Sequence, residues 1–278
     1  MKRKPFRKKA AQLMLELIAF VVVALFLFPY LYMVASAFKT RMDAFAYPPK
    51  WFFTPTLENF RIVLRDIRIL DFMENSAVVA VFSVLLTLLI AVPATYALAR
   101  YEFKGKTFIA YSFLFMQLLP AISIVFALFF VARQLNLYDT HFYLIVCNLL
   151  WNVPYAIWML RGFVEGVPKS LEEAAIMDGC SRFGAFLRVT LPLISGGVAA
   201  TAILVFIFVW NEFPLAFFLT SVNAKTLPTT IGFFMTHSGV QWGPMFAAAT
   251  LGTLPSVVFV LLVRKYFVSA LTLGAVKE

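Results

Sequence analysis

The sequence predicts an all-α membrane protein with six transmembrane helices. Hydrophobic residues make up 62% of the 278 residues and charged residues only 14%, which is more apolar than a soluble domain. Six apolar runs are each long enough to cross a bilayer, which takes about 20 helical residues. These runs cover residues 13–38, 72–99, 108–132, 142–160, 193–220 and 245–267. Little chain remains outside them for a soluble domain.

The first element is a basic tail, residues 1–12, followed by the first apolar run. The pair is similar to a secretory signal, but the run is too long and no small-residue cleavage site precedes Lys39, so we expect a retained first span. With the tail in the cytoplasm, Lys and Arg are about twice as frequent in the cytoplasmic segments as in the outer ones, as positive-inside sorting requires. This bias accounts for the net charge of +10 without a nucleic-acid partner.

The remaining boundaries follow from this topology. Residues 39–71 are predicted to form an extracytoplasmic loop, and residues 72–268 a core of five transmembrane helices that includes a cytoplasmic loop at 161–192. Residues 269–278 are a cytoplasmic C-terminal tail. The chain is therefore predicted to be a multi-pass protein in contact with membrane lipid, with both termini in the cytoplasm.

Several function classes find no support. One cysteine lies in a span and the other in the 161–192 loop, which excludes a disulfide framework, and no metal-ligand spacing surrounds either histidine. The motifs of serine hydrolases and zinc hydrolases are absent from the sequence. Gly105-Lys106-Thr107 matches the end of a phosphate-binding loop, but the first glycine of that motif would fall at Arg100, and no strand precedes it. We predict no catalytic residue, metal or cofactor in this chain.

A short helix is predicted within the 161–192 loop. Ser170 and Glu173 have the spacing of a capping box, in which both side chains satisfy amides at a helix start. Gly179 can adopt the left-handed conformation that ends a helix, so the helix is predicted to cover residues 171–178. Ser181 is a candidate cap for the next helix.

The predicted helix also has the features of a docking surface. Ala174 and Ala175 leave one side nearly bare, so another protein could approach the backbone closely. Glu172, Glu173 and Asp178 are expected to place negative charge beside that contact. The alternative interpretation is a capped helix that simply closes a loop.

The residue order in this loop resembles the coupling loop of permease subunits in binding-protein-dependent ABC importers, the loop on which the ATPase docks. The shared pattern is Glu173-Ala174-Ala175, three residues, Gly179, nine residues, an aliphatic residue, one residue and Leu191-Pro192. Two positions depart from the usual motif, Val189 in place of isoleucine and Cys180 in place of alanine. Both changes conserve approximate size.

Other segments narrow the resemblance to maltose- and trehalose-type carbohydrate permeases, and within them to the smaller permease of the pair. These segments are Arg100-Tyr101-x-Phe103-x-Gly105-Lys106, Trp210-Asn211-Glu212-Phe213-Pro214, Leu227-Pro228 and Leu271-Thr272-x-Gly274-Ala275-Val276-Lys277. The resemblance implies a type I ABC importer permease fold with a cytoplasmic coupling helix.

The resemblance also implies partners. They are a second homologous permease in a heterodimer, two ATPase subunits that bind ATP and Mg²⁺, and an extracytoplasmic sugar-binding protein. Transport would proceed by alternating access, as ATP closes the ATPase pair and draws two coupling helices together. The residues assigned to ATPase coupling are Ser170, Glu172, Glu173, Ala174, Ala175, Asp178, Gly179 and Pro192.

Polar side chains within the spans are candidates for a sugar pathway, because such groups usually face a cavity or a partner helix. Asn148, Asn152 and Tyr155 recur at helical spacing on one face of the fourth span, and amides with aromatic rings suit a sugar. The same residue types also hold helices together in lipid. Gln117 and Asn211 are further candidates, and pathway and packing remain open for all five.

Glu212 is an acid within the fifth span, two residues before Pro214. A carboxylate there needs a partner or water. Three interpretations remain open: a pathway or gate residue, a proton relay in an ion-coupled secondary transporter, and a helix-break acid at the interface with the second permease. The secondary transporter would explain Glu212 but not the coupling loop, and no internal repeat supports it.

The outer loop at 221–244 is long enough to reach a docked binding protein. By analogy with the family, it would probe the open cleft of that protein, and the candidate contact residues are Gly239, Gln241, Trp242 and Gly243. The sequence therefore predicts a permease subunit for a di- or oligosaccharide in a prokaryotic cytoplasmic membrane. The sugar itself is not readable from this chain.

Overall fold

The computed structural model describes residues 4–236 and 239–275, and within them the chain is helical apart from loops and one two-stranded hairpin. The predicted all-α class is confirmed. The chain divides into two compact units, which we call the loop unit (Met1–Ile69 and Ile231–Thr253) and the core unit (Leu70–Thr230 and Leu254–Glu278). The prediction assigned residues 231–253 to the core of residues 72–268, whereas in the structure they belong to the same compact unit as the first span and its loop.

The loop unit begins with a long helix, α1 (Lys4–Ala37), so the described part of the predicted basic tail continues the helix of the first span. Two short helices follow, α2 (Arg41–Ala44) and α3 (Glu58–Arg61), the second extended by a π-helical turn at Ile62–Asp66. The hairpin pairs β1 (Met235–Thr236) with β2 (Gly239–Val240) in antiparallel register, Met235 opposite Val240.

Asn59 holds the loop unit together from its interior. Its amide donates to the carbonyls of Ala37 and Lys39, both at 2.8 Å. Gly243 packs directly on this amide, because a Cβ added at Gly243 would lie 2.5 Å from Asn59 Oδ1. A single buried side chain therefore joins the end of the first span to the start of the last long helix.

The core unit contains the remaining helices. In chain order they are α4 (Ile69–Arg100), α5 (Lys106–Leu118), α6 (Ala121–Gln134), α7 (His141–Glu165), α8 (Lys169–Met177), α9 (Arg182–Ala185), α10 (Leu191–Leu193), α11 (Ser195–Trp210), α12 (Pro214–Leu219) and the later turns of α13 (Trp242–Ala275). A 3-10 helix at Leu227–Phe234 begins in the core unit and ends in the loop unit. The centre of this unit is α7, which packs against α5, α11 and α12. Leu144, Leu160, Val205 and Leu215 are fully buried around it.

In the described part of the chain, four helices, α1, α4, α7 and α13, are long and apolar enough to cross a membrane by themselves. Two bent pairs bring the number to six if each pair is one span, which is the predicted number. The predicted third span is broken between α5 and α6, with a bend of 98°, and the segment Arg182–Leu193 bends by 71° from α11. The predicted fifth span, 193–220, is interrupted again between α11 and α12.

The break between α5 and α6 has a clear physical cause. Pro120 has no N–H and favours an extended conformation at Leu119, where ψ is 119°. The Leu119 carbonyl freed at the break accepts from Trp151 Nε1 of α7 at 3.2 Å. In return, the Gln117 side chain of α5 donates to the Trp151 carbonyl of α7 at 2.7 Å. A broken helix in lipid needs such internal partners.

Candidate functional site

The helix predicted in the 161–192 loop is present as α8, and its end is as predicted. Gly179 has φ +91°, in the left-handed region that favours glycine. The amide of Cys180 donates to the Ala175 carbonyl and the amide of Gly179 to the Ile176 carbonyl, each at 3.0 Å, which is the Schellman arrangement. Ser181 caps α9 as predicted, with its hydroxyl accepting from the Gly184 amide at 3.0 Å.

The predicted start of this helix is wrong. α8 begins at Lys169, with Pro168 at the cap position and no side-chain cap. Ser170 therefore lies inside the first turn and does not form a capping box with Glu173. Proline is well suited to a helix entry because its fixed φ is close to the helical value and its missing N–H is not needed there.

Glu172 does not lie on the surface of α8, contrary to the expectation that its charge is offered to a partner. Its carboxylate accepts from Arg100 Nε and Thr190 Oγ1, both at 2.8 Å, and from the Tyr96 hydroxyl at 2.9 Å. The Arg100 and Glu172 side chains are only 8% and 9% exposed. Because both charges are buried, removal of either side chain would leave the other charge buried without a partner, which is strongly destabilising.

The buried carboxylate connects three segments of the core unit. Tyr96 and Arg100 lie at the end of α4, and Arg100 also donates to the Val167 carbonyl, just before α8, at 2.7 Å. Thr190 ends the π-helical turn Phe186–Thr190, directly before α10, where Pro192 lies exposed at a helix start. A displacement of α8 would therefore be passed both to α4 and to the segment that leads into α11.

The outward side of α8 carries little bulk. Glu173 and Ala174 are exposed, Ala175 is partly exposed, and Leu171 and Met177 are 45% and 87% exposed. Leu171, Ala174 and Met177 follow each other at intervals of three, which places them on one face. An apolar face outside the spans, with an alanine at its middle, is a surface suited to another protein.

The candidate pathway residues separate into two groups. Asn148 and Asn152 are buried, and their amides donate to the carbonyls of Leu144 and Asn148 of their own helix at 2.9 and 2.8 Å. Gln117 is tied to the Trp151 carbonyl. Tyr155 and Asn211 retain exposed surface, and Tyr155 meets Phe208 edge-on with ring centroids 5.0 Å apart. The Asn211 amide also donates to a carbonyl of its own helix, that of Ile207, at 2.8 Å, but its side chain is exposed. Asn148 and Asn152 are thus buried in packing contacts, whereas Tyr155 and Asn211 keep surface that a solute could reach.

Glu212 lies in the break between α11 and α12. Its carboxylate accepts from the backbone amides of Leu215 and Ala216, at 2.6 and 3.0 Å, and so caps the first turn of α12. Two of the amides left free at this helix start are thereby satisfied. This geometry agrees with the helix-break interpretation, and both carboxylate oxygens are engaged.

The four outer-loop candidates also differ in their surroundings. Gly239 has φ +105° in the hairpin, and the Gln241 amide donates to the Phe234 carbonyl at 2.8 Å. Gln241 and Trp242 are exposed, and Trp242 lies against Phe246. Gly243 packs against the buried Asn59, so we assign it a structural role and not a contact with the binding protein.

Asp139 was not singled out from the sequence, yet it organises the loop that precedes the outer 3-10 helix. Its carboxylate accepts from the backbone amides of residues 221–224 and from the side chains of Ser221 and Asn223, at 2.9–3.1 Å. Burial opposes ionisation, but the backbone donors outweigh it and hold the pKa of Asp139 well below its usual range. The only hint in the sequence is an aspartate next to Thr140, which caps α7.

We expect Asp139→Asn to lower the free energy of unfolding by about 1–3 kcal/mol, because hydrogen bonds to a charged group are lost. The carboxylate has a lower pKa folded than unfolded, so its stabilising effect is complete above about pH 5 and is lost as the pH falls below about 4. The difference in melting temperature between wild type and Asp139→Asn should therefore be smaller at about pH 3.5 than at about pH 7, although it should not vanish, because the folded pKa lies well below that range. A constant difference across that range would contradict the assigned ionisation.

This chain is similar to known proteins over most of its length. Residues 83–272 match the family described as "Binding-protein-dependent transport system inner membrane component". The chain is 39% identical to the probable ABC transporter permease protein y4oR of Sinorhizobium fredii, over 92% of each chain. It is 36% identical to the diacetylchitobiose uptake system permease protein DasC of Streptomyces coelicolor, over 90% of this chain and 91% of the relative.

A third relative and a solved structure extend the comparison to nearly the whole chain. The trehalose/maltose transport system permease protein MalG of Thermococcus litoralis is 35% identical over 98% of this chain and 99% of its own. A bacterial ABC transporter involved in the import of the polysaccharide alginate has a chain of the same fold, with a TM-score of 0.74 at 22% identity, covering 94% of this chain and 98% of that one.

Proposed function

Because this chain belongs to the family of binding-protein-dependent transport system inner membrane components, we propose that it is the smaller permease subunit of an ATP-driven importer for a di- or oligosaccharide. The observation that carries the proposal is α8, which exposes a small apolar face and is anchored from behind by a buried ion pair. The names of relatives that handle trehalose, maltose and diacetylchitobiose support a sugar as the solute.

The proposed assembly contains this chain, a second homologous permease, two ATPase subunits and an extracytoplasmic binding protein. ATP and Mg²⁺ are held by the ATPase subunits. A related solved structure contains an alginate pentasaccharide-bound periplasmic protein, which supports a binding protein as partner. Both termini of this chain lie in the cytoplasm, and α8 faces the ATPase on that side.

The buried ion pair between Arg100 and Glu172 suggests how movement of the ATPase subunits is transmitted to the membrane spans. Closure of the ATPase pair on ATP displaces α8, and Glu172 carries the displacement to α4 through Arg100 and to the α10–α11 segment through Thr190. The outward side of α8, around Ala174, forms the seat, and Gly179 allows the sharp turn that follows. The cavity between the two permeases then opens to the other side.

The sugar is proposed to pass the partly exposed residues Tyr155 and Asn211. The ring of Tyr155 offers a flat face to the C–H groups of a sugar, and the Asn211 amide offers a donor and an acceptor to its hydroxyls. Gln241 and Trp242, exposed beside the hairpin, are the proposed contacts for the binding protein.

Uptake of radiolabelled trehalose, maltose and diacetylchitobiose into proteoliposomes tests this function. The expected result is uptake of at least one sugar that requires binding protein, ATP and the ATPase, and that a protonophore does not reduce. Uptake that proceeds without ATP and collapses with the proton gradient would contradict the proposal.

Glu212 distinguishes the importer from an ion-coupled carrier. We expect Glu212→Gln to retain ATP-driven uptake within about twofold, because an amide oxygen can still accept from the start of α12. Glu212→Ala is expected to lower stability by about 0.5–2 kcal/mol through loss of the cap. Initial uptake rates and melting temperatures of both variants provide the measurement. Abolished uptake in Glu212→Gln with unchanged melting would favour a proton relay.

A further inference from the structure

Lys39 is a buried cation that forms no ion pair within contact distance among the described residues. It lies two residues beyond the end of α1, and only 2% of its surface is exposed. Its ammonium lies over the rings of Tyr32 and Phe53, at 4.9 and 5.2 Å from their centroids. Aromatic faces recover part of the cost of burying a charge, but a buried ammonium normally has a counter-charge as well.

Asp43 interacts electrostatically with Lys39, but both oxygens of its carboxylate are hydrogen-bonded to other side chains. Its Oδ1 accepts from Lys50 Nζ at 2.7 Å and its Oδ2 from Thr40 Oγ1 at 2.8 Å. Lys50 is paired in this way, whereas Lys39 forms no ion pair within the described part of the chain. The charge of Lys39 therefore remains available to a ligand.

Lys39 lines a cavity of about 200 Å³ within the loop unit. Lys50 lies at the same cavity, and Tyr32, Phe53 and Trp51 provide aromatic walls. Phe28 and Leu31, in the later turns of α1, also line the cavity, and the Phe28 ring lies against those of Tyr32 and Trp51. The side chains of Phe28 and Leu31 are both more than half exposed. The cavity thus combines cations with an apolar face that continues along the span.

We propose that this cavity binds the phosphodiester headgroup of an anionic membrane lipid, with one acyl chain lying along Phe28 and Leu31. Three features favour a lipid over other anions. The site lies at the end of a membrane span, where headgroups are found; Trp51 and Tyr32 are the residue types enriched at that depth; and the cationic part adjoins exposed apolar side chains of the same span. The inference does not depend on which sugar is carried or on which side of the membrane the site lies.

Native mass spectrometry of the purified, delipidated importer containing the full chain tests the proposal. The complex is titrated with dioleoyl phosphatidylglycerol or with dioleoyl phosphatidylcholine, and bound lipids are counted. We expect phosphatidylglycerol to bind preferentially, and we expect Lys39→Met to weaken its binding by about tenfold or more, the loss typical of a charge-assisted contact. Lys104→Met, at an exposed lysine outside this cavity, is the matched control and should leave binding unchanged.

A second variant distinguishes loss of the lipid site from misfolding of the Lys39→Met protein. Trp51→Leu removes an exposed wall of the cavity without touching either lysine, and it should also weaken phosphatidylglycerol binding. Equal binding by wild type and both variants would overturn the proposal, as would equal affinity for the two lipids. Displacement of the lipid by millimolar inorganic phosphate would overturn it in favour of a free-anion site. Loss of the second permease in Lys39→Met, with lipid binding unchanged, would overturn it in favour of a protein interface.

Discussion

Glu172→Ala is expected to lower the free energy of unfolding by about 3–5 kcal/mol, because it leaves Arg100 charged and buried without a partner. The hydroxyls of Tyr96 and Thr190 lose their acceptor in the same step. Since these bonds join α8 to α4 and to the α10 segment, we also expect ATP hydrolysis to continue with little sugar uptake. Melting of the assembled importer and the ratio of sugar moved to ATP hydrolysed are the measurements.

The neighbouring acid provides the control. Glu173→Ala removes a carboxylate of the same type from the exposed side of α8 and should change stability by no more than about 0.5 kcal/mol. The double variant Glu172→Leu with Arg100→Met removes both buried charges, and it should recover much of the lost stability. Equal melting temperatures for Glu172→Ala and Glu173→Ala would contradict the buried-anchor assignment.

Ala174→Arg is expected to weaken capture of the ATPase by about 100-fold or more, the size of a change at the centre of an interface. Ala174 is exposed and lies between Leu171 and Met177, so a long charged side chain would prevent close seating without disturbing the chain's own packing. Pull-down of the ATPase at graded concentrations, together with the melting temperature of the variant, gives both quantities.

A substitution close in size to alanine tests whether the effect of Ala174→Arg comes from the bulk and charge of the new side chain or from any change at this position. Ala174→Ser adds one oxygen and should retain capture within about threefold, since surface substitutions of this kind have small effects. Undiminished capture by Ala174→Arg would mean that the ATPase does not seat on this face of α8.

The sequence predicts the end of α8 well because one residue determines it. A left-handed residue was needed after Asp178, and glycine meets that need at no steric cost. The beginning was harder to predict, because Ser170 and Pro168 are both acceptable entry signals and only packing chooses between them. Pro120 and Pro214 lie at the breaks in the third and fifth spans. However, Pro93, Pro154 and Pro255 lie inside continuous helices, so a proline alone does not predict a break. At Pro120 the freed Leu119 carbonyl accepts from Trp151 of α7, a contact that the local sequence does not reveal.

The orientation of Glu172 could not be read from the sequence. Successive helical residues point about 100° apart, so the adjacent acids Glu172 and Glu173 face different surroundings. The local sequence does not indicate which of the two is buried. The decision comes from Arg100 and Tyr96, 72 and 76 positions earlier in the chain. Asp139 was missed for the same reason, since its donors lie 82–85 positions away.

The polar residues of the spans show a further limit. Helical spacing correctly put Asn148 and Asn152 on one face of α7, but it could not distinguish a pathway from packing. The amides bond to carbonyls of their own helix, which a chain in lipid favours whenever no other partner is near. The position of α8, predicted from a sequence motif, was therefore easier to predict than the sugar-pathway residues, which were predicted from residue type alone.

The proposed function requires an ATPase subunit to dock on the outward side of α8. Site-specific cross-linking tests it most directly, using Glu173→Cys labelled with a benzophenone in a Cys147→Ala, Cys180→Ala background, and Thr54→Cys in the first loop as the control. We expect a cross-link to the ATPase from position 173 and none from position 54. A chain that gives no cross-link from position 173, purifies without any ATPase and moves sugar on a proton gradient would contradict it.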